Sequence, residues 1–261
     1  MTPPQPRMGV LMRKSLTVVL ALLVIFASAD VSAQSSLYKQ KKYFGAIPMN
    51  GFNLFIGFLD GPDHKYLSEY LSEYAIQHGG TETWDEWSTS FYTRIGYQRQ
   101  VSPNHFLVSN LNFSYLSAEG NGDFFTLTDP PEYVVSSRTL TTYLFSLDVG
   151  FLYYMIKPEV QKIAPYIGGG FSAVVPYEKL ETSLINDEGE DVSTPEDSAS
   201  ETSFEPGVYA QFGINYYISN KWGATLDGRF QMAQSKFKIY EGNFDISYAG
   251  LCLALGLHYY F

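Results

Sequence analysis

Cysteine and charge are both scarce in this chain of 261 residues. Cys252 is its single cysteine, which excludes a disulfide framework and a cysteine-based structural zinc site. Charged residues make up 17% of the chain and the formal net charge is -10, whereas a nucleic-acid surface needs clustered Lys and Arg. The mean hydropathy of -0.10 excludes a bundle of membrane-spanning helices. Aromatic residues, at 16%, and 22 glycines are what the chain has in abundance.

The first 33 residues have the organisation of a leader for export. A short basic stretch at 12–14 precedes an uncharged apolar run at 16–26, and small residues follow it. The run is shorter than the about 20 residues that a membrane-spanning helix needs. We therefore predict a signal peptide over 1–33, with 1–11 as an upstream extension, and a periplasmic segment over 34–50. An uncleaved anchor is the alternative.

Beyond residue 50, apolar residues alternate with small or polar ones, which is the period of a β-strand. The final segment shows this alternation most clearly, because Leu253 and Leu255 flank Ala254 on the opposite face. Eight segments fit the pattern: 51–59, 89–100, 105–116, 138–156, 163–176, 204–218, 222–234 and 248–261. Their connections are alternately short and long, and the long ones are 60–88, 117–137, 177–203 and 236–244. Short turns at one end and long loops at the other are typical of an outer-membrane barrel.

The sequence therefore predicts an all-β fold over 51–261, an eight-stranded antiparallel up-and-down transmembrane β-barrel. The apolar strand face is almost free of charge over about ten residues, the length that a tilted strand needs to cross a membrane. The other face is poor in Lys and Glu, as expected of a crowded barrel interior. An even strand count places both termini beside the short turns, on the periplasmic side. A secreted soluble barrel or sandwich, with its apolar face inside, is the alternative.

Aromatic residues crowd the strand ends beside the short turns. We expect their rings to form a girdle at the membrane interface, where aromatic side chains are enriched. The residues concerned are Tyr97, Tyr153, Tyr154, Tyr166, Tyr216, Tyr217, Trp222, Tyr259, Tyr260 and Phe261.

Four charged residues point into the predicted lumen by strand parity: Arg94, Asp148, Asp227 and Arg229. Counted from the short turns, they lie about five to nine residues up their strands, hence at roughly one height for a rise of ~3.3 Å per residue. An unpaired buried charge is costly, so we predict a paired cluster that plugs the barrel. Amide side chains would complete its hydrogen bonds: Gln98, Asn112, Gln211 and Gln231. Separate charges that each contact trapped water are the alternative.

The chain resembles the small eight-stranded outer-membrane barrels of the OmpA, OmpX and OmpW type. The resemblance covers nearly the whole chain after the leader, and it rests on the leader, the eight segments, the turn segment 164–170 and the ending 256–261. It implies a location in the cell outer membrane, with outer-membrane lipid and lipopolysaccharide as partners. We expect a monomer.

The chain end also resembles this family. In these barrels the assembly machinery binds a signal made of a final aromatic residue with apolar residues at alternate positions before it, and the end of this chain resembles that signal. Gly256, Tyr259 and Phe261 stand at the matching positions, whereas Ala254 stands where a polar residue is usual. The resemblance therefore implies that the assembly machinery is a partner during biogenesis.

Such a fold indicates function only weakly, and three functions stay open. The first is a structural or surface-interaction barrel without catalysis, cofactor or metal site. The second is a conduit for small hydrophobic molecules, as proposed for OmpW-like barrels, and the third is a lipid A-modifying enzyme. The conduit draws support from apolar residues expected in the lumen: Phe55, Leu59, Phe106, Val108, Leu140 and Leu144.

The four histidines have no metal-binding spacing. An enzyme would use His64 or His78, which lie in a long loop near Ser68 and Ser72. Because leucine and tyrosine recur at helical spacing over 65–77, we predict instead a short amphipathic helical turn on the barrel rim.

Two further features have ordinary explanations. The acidic stretch 177–203 is expected to be a solvated loop, with a divalent-cation bridge to lipopolysaccharide as the alternative. Cys252 points inward by parity, and we expect it to be a small packing residue rather than a reactive thiol.

Overall fold

The computed structural model describes residues 50–60, 65–85, 89–126, 131–156, 161–194, 198–239 and 242–261. The predicted signal peptide and nearly all of the predicted periplasmic segment lie outside these residues. The helix is α1 (Lys65–Gln77). The strands are β1 (Asn50–Asp60), β2 (Thr81–Trp84), β3 (Thr89–Ser102), β4 (His105–Phe125), β5 (Tyr133–Tyr154), β6 (Ile163–Asn186), β7 (Ala199–Thr202), β8 (Glu205–Tyr217), β9 (Trp222–Met232), β10 (Gln234–Ile239), β11 (Gly242–Ser247) and β12 (Gly250–Tyr260).

Eight of these strands close into an antiparallel ring in the order β1, β3, β4, β5, β6, β8, β9 and β12. The last strand pairs with the first, from Gly51 opposite Tyr260 to Asp60 opposite Leu251, so the ring has no free edge. The amide of Phe261 donates to the carbonyl of Asn50 at 3.0 Å, which places the start of β1 and the end of β12 together beside the short turns. The predicted eight-stranded up-and-down barrel is confirmed.

The outer surface of the ring carries an apolar belt. Its side chains are strongly exposed, for example Phe171 at 77%, Phe58 at 72% and Leu255 at 69%. Two aromatic rows bound this belt. The lower row lies at the short turns and includes Tyr153, Tyr216, Trp222, Tyr259 and Phe261. The upper row is Tyr115, Tyr143 and Tyr177, with ring centroids 5.3 and 6.1 Å apart across β4, β5 and β6. On β5 the rows are ten residues apart, which for a tilted strand matches the ~25 Å apolar band of outer-membrane barrels.

The predicted lower girdle is wrong for four of its tyrosines. These four, Tyr154, Tyr166, Tyr217 and Tyr260, are buried inside the ring. The reason is strand parity, because successive side chains point to opposite faces. Tyr166 faces inward because its neighbour Ile167 faces outward. The other three belong to pairs of adjacent aromatic residues, which cannot both face the membrane. One ring of each such pair, as in Tyr153 and Tyr154, therefore fills the lumen.

Three strands continue past the upper tyrosine row and form what we call the arm: residues 116–125 of β4, 133–142 of β5 and 178–186 of β6. This corrects the prediction of loops over 117–137 and 177–203, which are strand in large part. Beyond the row the alternation inverts. Polar residues such as Glu119 and Ser137 face outward, whereas Leu116 and Leu140 are fully buried inside. The polar outward residues made these segments look like loops in the sequence.

Helix α1 lies against the inner side of the arm end. Leu67, Leu71 and Ala75 recur at helical spacing, and all three are buried. The helix ends before Gly79, whose φ of 76° is a left-handed conformation that favours glycine. From there β2 pairs with β4, and α1 thereby becomes part of the structure that closes the barrel mouth. The predicted helical turn over 65–77 is confirmed. Among the described residues, no helix has the length and apolar character to cross a membrane.

Candidate functional site: the filled lumen

The four charged residues predicted in the lumen lie together as two ion pairs. Arg94 Nη2 is 2.9 Å from Asp227 Oδ1, and Arg229 Nη1 pairs with Asp148 Oδ2. All four side chains are 0 to 1% exposed. We call these residues the charge layer.

Neighbouring polar side chains hold the two carboxylates. Asp148 accepts hydrogen bonds from Asn112 Nδ2 at 2.7 Å and from Ser172 Oγ at 2.6 Å. Asp227 accepts from Gln211 Nε2 at 2.7 Å and from the Tyr166 hydroxyl. Each carboxylate therefore has several donors, as a buried anion requires.

Three of the four amides expected around the charge layer join it. Asn112 and Gln211 donate to the carboxylates, and Gln231 Oε1 accepts from Arg229 Nη2 at 3.0 Å. Gln98 does not join the layer: it makes no hydrogen bond to any of the four charged residues. Its position in β3, four residues nearer the short turn than Arg94, places it below the layer.

Aromatic rings cover the two guanidinium groups. Arg94 lies over the Phe55 ring at 3.8 Å and Arg229 over the Tyr209 ring at 4.1 Å. The Phe55 ring fits against the wall because Gly256 lies opposite it, where a Cβ would be only 2.4 Å from the ring. The contacts of Tyr166 and Ser172 with the carboxylates depend on the barrel stagger, which the sequence does not state.

Below the charge layer, toward the short turns, the lumen is filled by aromatic rings. Tyr154 and Tyr166 have ring centroids 5.3 Å apart, and Tyr217 and Tyr260 are 5.5 Å apart. The amide of Asn215 donates to the Tyr260 hydroxyl at 2.6 Å. Phe106 and Val108, two of the six residues proposed to line a conduit, are buried in this cluster.

Above the charge layer, toward the arm, the lumen is filled by an apolar cluster. The other four proposed conduit residues lie there: Phe55, Leu59, Leu140 and Leu144. Leu67 and Leu71 of α1 pack into the same cluster, as do Phe237 of β10 and Ile246 of β11. The helix and the β10–β11 hairpin thus complete the cluster from the mouth side.

A third buried ion pair lies inside the arm. Arg138 Nη1 is 2.6 Å from Glu82 Oε2, the two side chains are 1% and 0% exposed, and Trp84 Nε1 donates to Glu82 Oε1 at 2.7 Å. This pair was not predicted, because Glu82 falls in the segment 60–88 that was expected to be a loop and Arg138 is the first residue of the predicted strand 138–156. Residues 134–140 show no alternation of apolar and polar residues, so the sequence carried no signal for this pair.

The proposed catalytic residues do not form a catalytic arrangement where the structure describes them. His78 Nδ1 contacts the carbonyl of Tyr74 at 2.7 Å, and the Ser68 hydroxyl donates to the carbonyl of Lys65 at 2.9 Å. His64 lies outside the described residues. Over the described ranges, no group of three or more His, Cys, Asp or Glu residues is arranged to hold a metal ion.

Two residues of the predicted assembly signal, Tyr259 and Phe261, lie near the short turns, whereas Gly256 is farther along β12, opposite Phe55. Phe261 and Tyr259 are on the outer surface, where Phe261 stacks on Phe52 at 5.3 Å and Tyr259 packs against Trp222 at 4.9 Å. Cys252 is buried in the upper apolar cluster, as a small packing residue would be. Recognition by the assembly machinery stays a prediction.

A closed eight-stranded ring, with an apolar outer belt between two aromatic rows and a lumen filled by side chains, defines a membrane-spanning β-barrel of the outer-membrane class. The solved structures that resemble the chain include Neisserial surface protein A (12% identity, 81% of this chain and 97% of that chain covered, TM-score 0.40). They also include OprG from Pseudomonas aeruginosa (12%, 84% and 99%, TM-score 0.43) and the attachment invasion locus protein Ail of Yersinia pestis, in complex with the heparin analogue sucrose octasulfate (12%, 81% and 99%, TM-score 0.34). No protein-family model and no curated protein matches the chain. Because these identities and TM-scores are low, the fold is assigned from the closed ring of eight strands and not from these similarities.

Proposed function

We propose that this chain is a non-catalytic outer-membrane barrel with a closed lumen, and that it acts through the surface of its arm. The observation that carries this proposal is the continuous filling of the lumen. Aromatic rings, the charge layer and the apolar cluster follow one another from the short turns to α1. Eight strands enclose a space that side chains are able to fill, so a closed barrel is physically reasonable.

We further propose an orientation and partners. The arm end faces the cell exterior, and both chain termini lie in the periplasm, because longer segments are typical of the outer side of such barrels. Outer-membrane lipid and lipopolysaccharide contact the apolar belt of a monomer. The assembly machinery recognises the chain end that carries Gly256, Tyr259 and Phe261.

A conduit for small hydrophobic molecules is the second candidate, and the apolar character of the upper lumen favours it. Entry from the arm end would have to displace α1, whose Leu67 and Leu71 are 1% and 0% exposed. Passage would also have to disrupt the charge layer, whose pairs occupy the middle of the ring. Both requirements weigh against a conduit.

Conductance in planar lipid bilayers tests the closed lumen. The parent protein should give no large steady conductance, and a variant that lacks α1 should stay closed because the charge layer remains. A stable wide pore in the parent would overturn the proposal. The lipid A profile of expressing cells tests the absence of catalysis: it should match that of cells with the empty vector, and a modified lipid A species would contradict the proposal.

A further inference from the structure

The outward face of the arm is ordered in rows that the strand pairing defines. Beyond the upper tyrosine row, three successive rows are polar: Ser117, Thr141 and Lys179, then Glu119, Thr139 and Glu181, then Asn121, Ser137 and Ser183. This surface is therefore solvated over several rows.

Apolar residues return at the far end of the same face. Val135 lies opposite Ile185, Phe125 lies opposite Tyr133, and the last two rings are 5.5 Å apart. Val135, Phe125 and Ile185 are 52%, 45% and 43% exposed. We call these four residues the tip patch.

Membrane lipid does not account for the exposure of the tip patch. Val135 is eight residues beyond Tyr143 on β5, which corresponds to about 26 Å along the strand at ~3.3 Å per residue. Three polar rows separate the two positions. A contiguous apolar surface that water would otherwise cover indicates a contact with another molecule.

The rim of the tip patch is acidic. Asp123 lies beside Val135, and the turn after Ile185 carries Asp187, Glu188, Glu190 and Asp191. No Lys or Arg lies in the two rows of the patch or in the turn 186–191. The nearest outward cation of these strands, Lys179, already pairs with Glu181 at 2.5 Å.

We infer that the tip patch docks a cationic protein segment that has apolar residues at its centre and Lys or Arg at its flanks. The apolar centre of such a segment fits the three exposed side chains and the half-buried Tyr133, and its flanks fit the acidic rim. A second copy of this chain would bring one acidic rim against another, and a polysulfated glycan would meet the same repulsion. This inference rests on the proposed function, which assigns the contacts of the protein to its arm.

The experiment uses the full barrel in phosphatidylcholine nanodiscs and the fluorescent peptide Lys-Lys-Val-Phe-Val-Lys-Lys, with anisotropy as the readout. The parent should bind the peptide saturably, and added salt should weaken the binding because the rim charges become screened. Peptides with Glu in place of Lys, or with Ser in place of the three apolar residues, should not bind. Empty nanodiscs give the lipid background.

Two variants separate the patch from its rim. Val135→Ser with Ile185→Ser should weaken binding at least about tenfold, as expected for the centre of an interface. Glu188→Gln with Glu190→Gln should weaken binding and flatten its salt dependence. The matched control, Ser137→Ala with Ser183→Ala, lies one row nearer the membrane on the same face and should bind like the parent. Each variant must keep the heat-modifiable band of a folded barrel.

Absence of saturable binding to the parent, or equal binding by the Val135→Ser, Ile185→Ser variant, would overturn the inference. Binding of heparin in place of the peptide would overturn it as well. Conductance of the same samples keeps the two proposals apart. If the barrel does not conduct and does not bind the peptide, only the docking inference is wrong. If the barrel conducts and binds the peptide, only the proposal of a closed lumen is wrong.

Discussion

The arm continues three of the eight strands of the ring, β4, β5 and β6, but the outer faces of the two regions are opposite in character. Below the upper tyrosine row, Phe145 and Leu147 face outward while Asp148 lies inside. Above the row, Ser137 and Thr139 face outward while Leu140 lies inside. The difference shows that the surrounding solvent, and not the strand, decides which face carries the apolar residues. In the ring the outer solvent is lipid, and in the arm it is water.

The largest expected effect comes from breaking the charge layer. Arg94→Ala leaves Asp227 buried without its cation, so the free energy of unfolding should fall by about 3–5 kcal/mol. Urea unfolding in lipid vesicles measures the loss. Replacing both partners, as in Arg94→Met with Asp227→Leu, should restore most of the stability because no charge is then stranded. An Arg94→Ala barrel as resistant to urea as the parent would show that the pair has no such role.

A lysine placed on the outer face of β5 compares the two regions directly. Leu147→Lys puts a charge in the middle of the apolar belt and should lower the free energy of unfolding by ~2–4 kcal/mol. Ser137→Lys, ten residues away on the same face, should change it by less than about 0.5 kcal/mol. Equal costs in the same vesicle assay would mean that the upper tyrosine row does not mark the membrane boundary.

The arm has its own ion pair, and breaking it should have a local effect. Glu82→Ala strands the Arg138 guanidinium, but β2 and α1 are able to open and admit water without unfolding the ring. We expect several-fold faster proteolysis within 65–84 and little change in the urea transition of the ring. Glu119→Ala, on the outer face of the arm, is the matched control and should be neutral. A large shift in the urea transition for Glu82→Ala would show that arm and ring unfold together.

The smallest expected effect concerns pH and the β10–β11 hairpin. Glu178 lies just beyond the upper tyrosine row, where it accepts hydrogen bonds from the Ser235 hydroxyl at 2.7 Å and from Tyr248. Burial raises the pKa of Glu178 from 4.5 to about 7; Glu201 and Glu205 add to the rise, and the Ser235 hydrogen bond opposes it. Ionisation is thus disfavoured in the folded state, so hairpin docking should be strongest below pH 4.5 and weaken as the pH rises to 7.

Amide hydrogen exchange of β10 and β11 at pH 5 and pH 8, corrected for intrinsic rates, measures this effect. Protection should be higher at pH 5 in the parent. In Glu178→Gln it should be independent of pH, because the amide does not titrate. A parent hairpin equally protected at both pH values would disprove the role of Glu178.

The sequence was sufficient to predict the ring because two independent signals agree there. Alternation assigned each residue to the inside or the outside, and distance from the short turns assigned its height. Together they place Arg94 and Asp227 in one layer. The arm was missed because outward residues such as Glu119 and Asn121 have the composition of a loop. The partners of the charges, such as the Phe55 ring that contacts Arg94, depend on strand stagger, which the pattern of one strand does not contain.

The charge layer also matters before the barrel exists. A chain that must pass one membrane to reach another is retained in the first if it presents about 20 consecutive apolar residues, which is enough for a spanning helix. Arg94, Asp148, Asp227 and Arg229 interrupt three of the ring strands, and even the apolar run from Ala249 to Leu257 covers only nine residues. For the exported, closed barrel that we propose, the residues that fill the lumen would therefore also keep the unfolded polypeptide from stopping in transit.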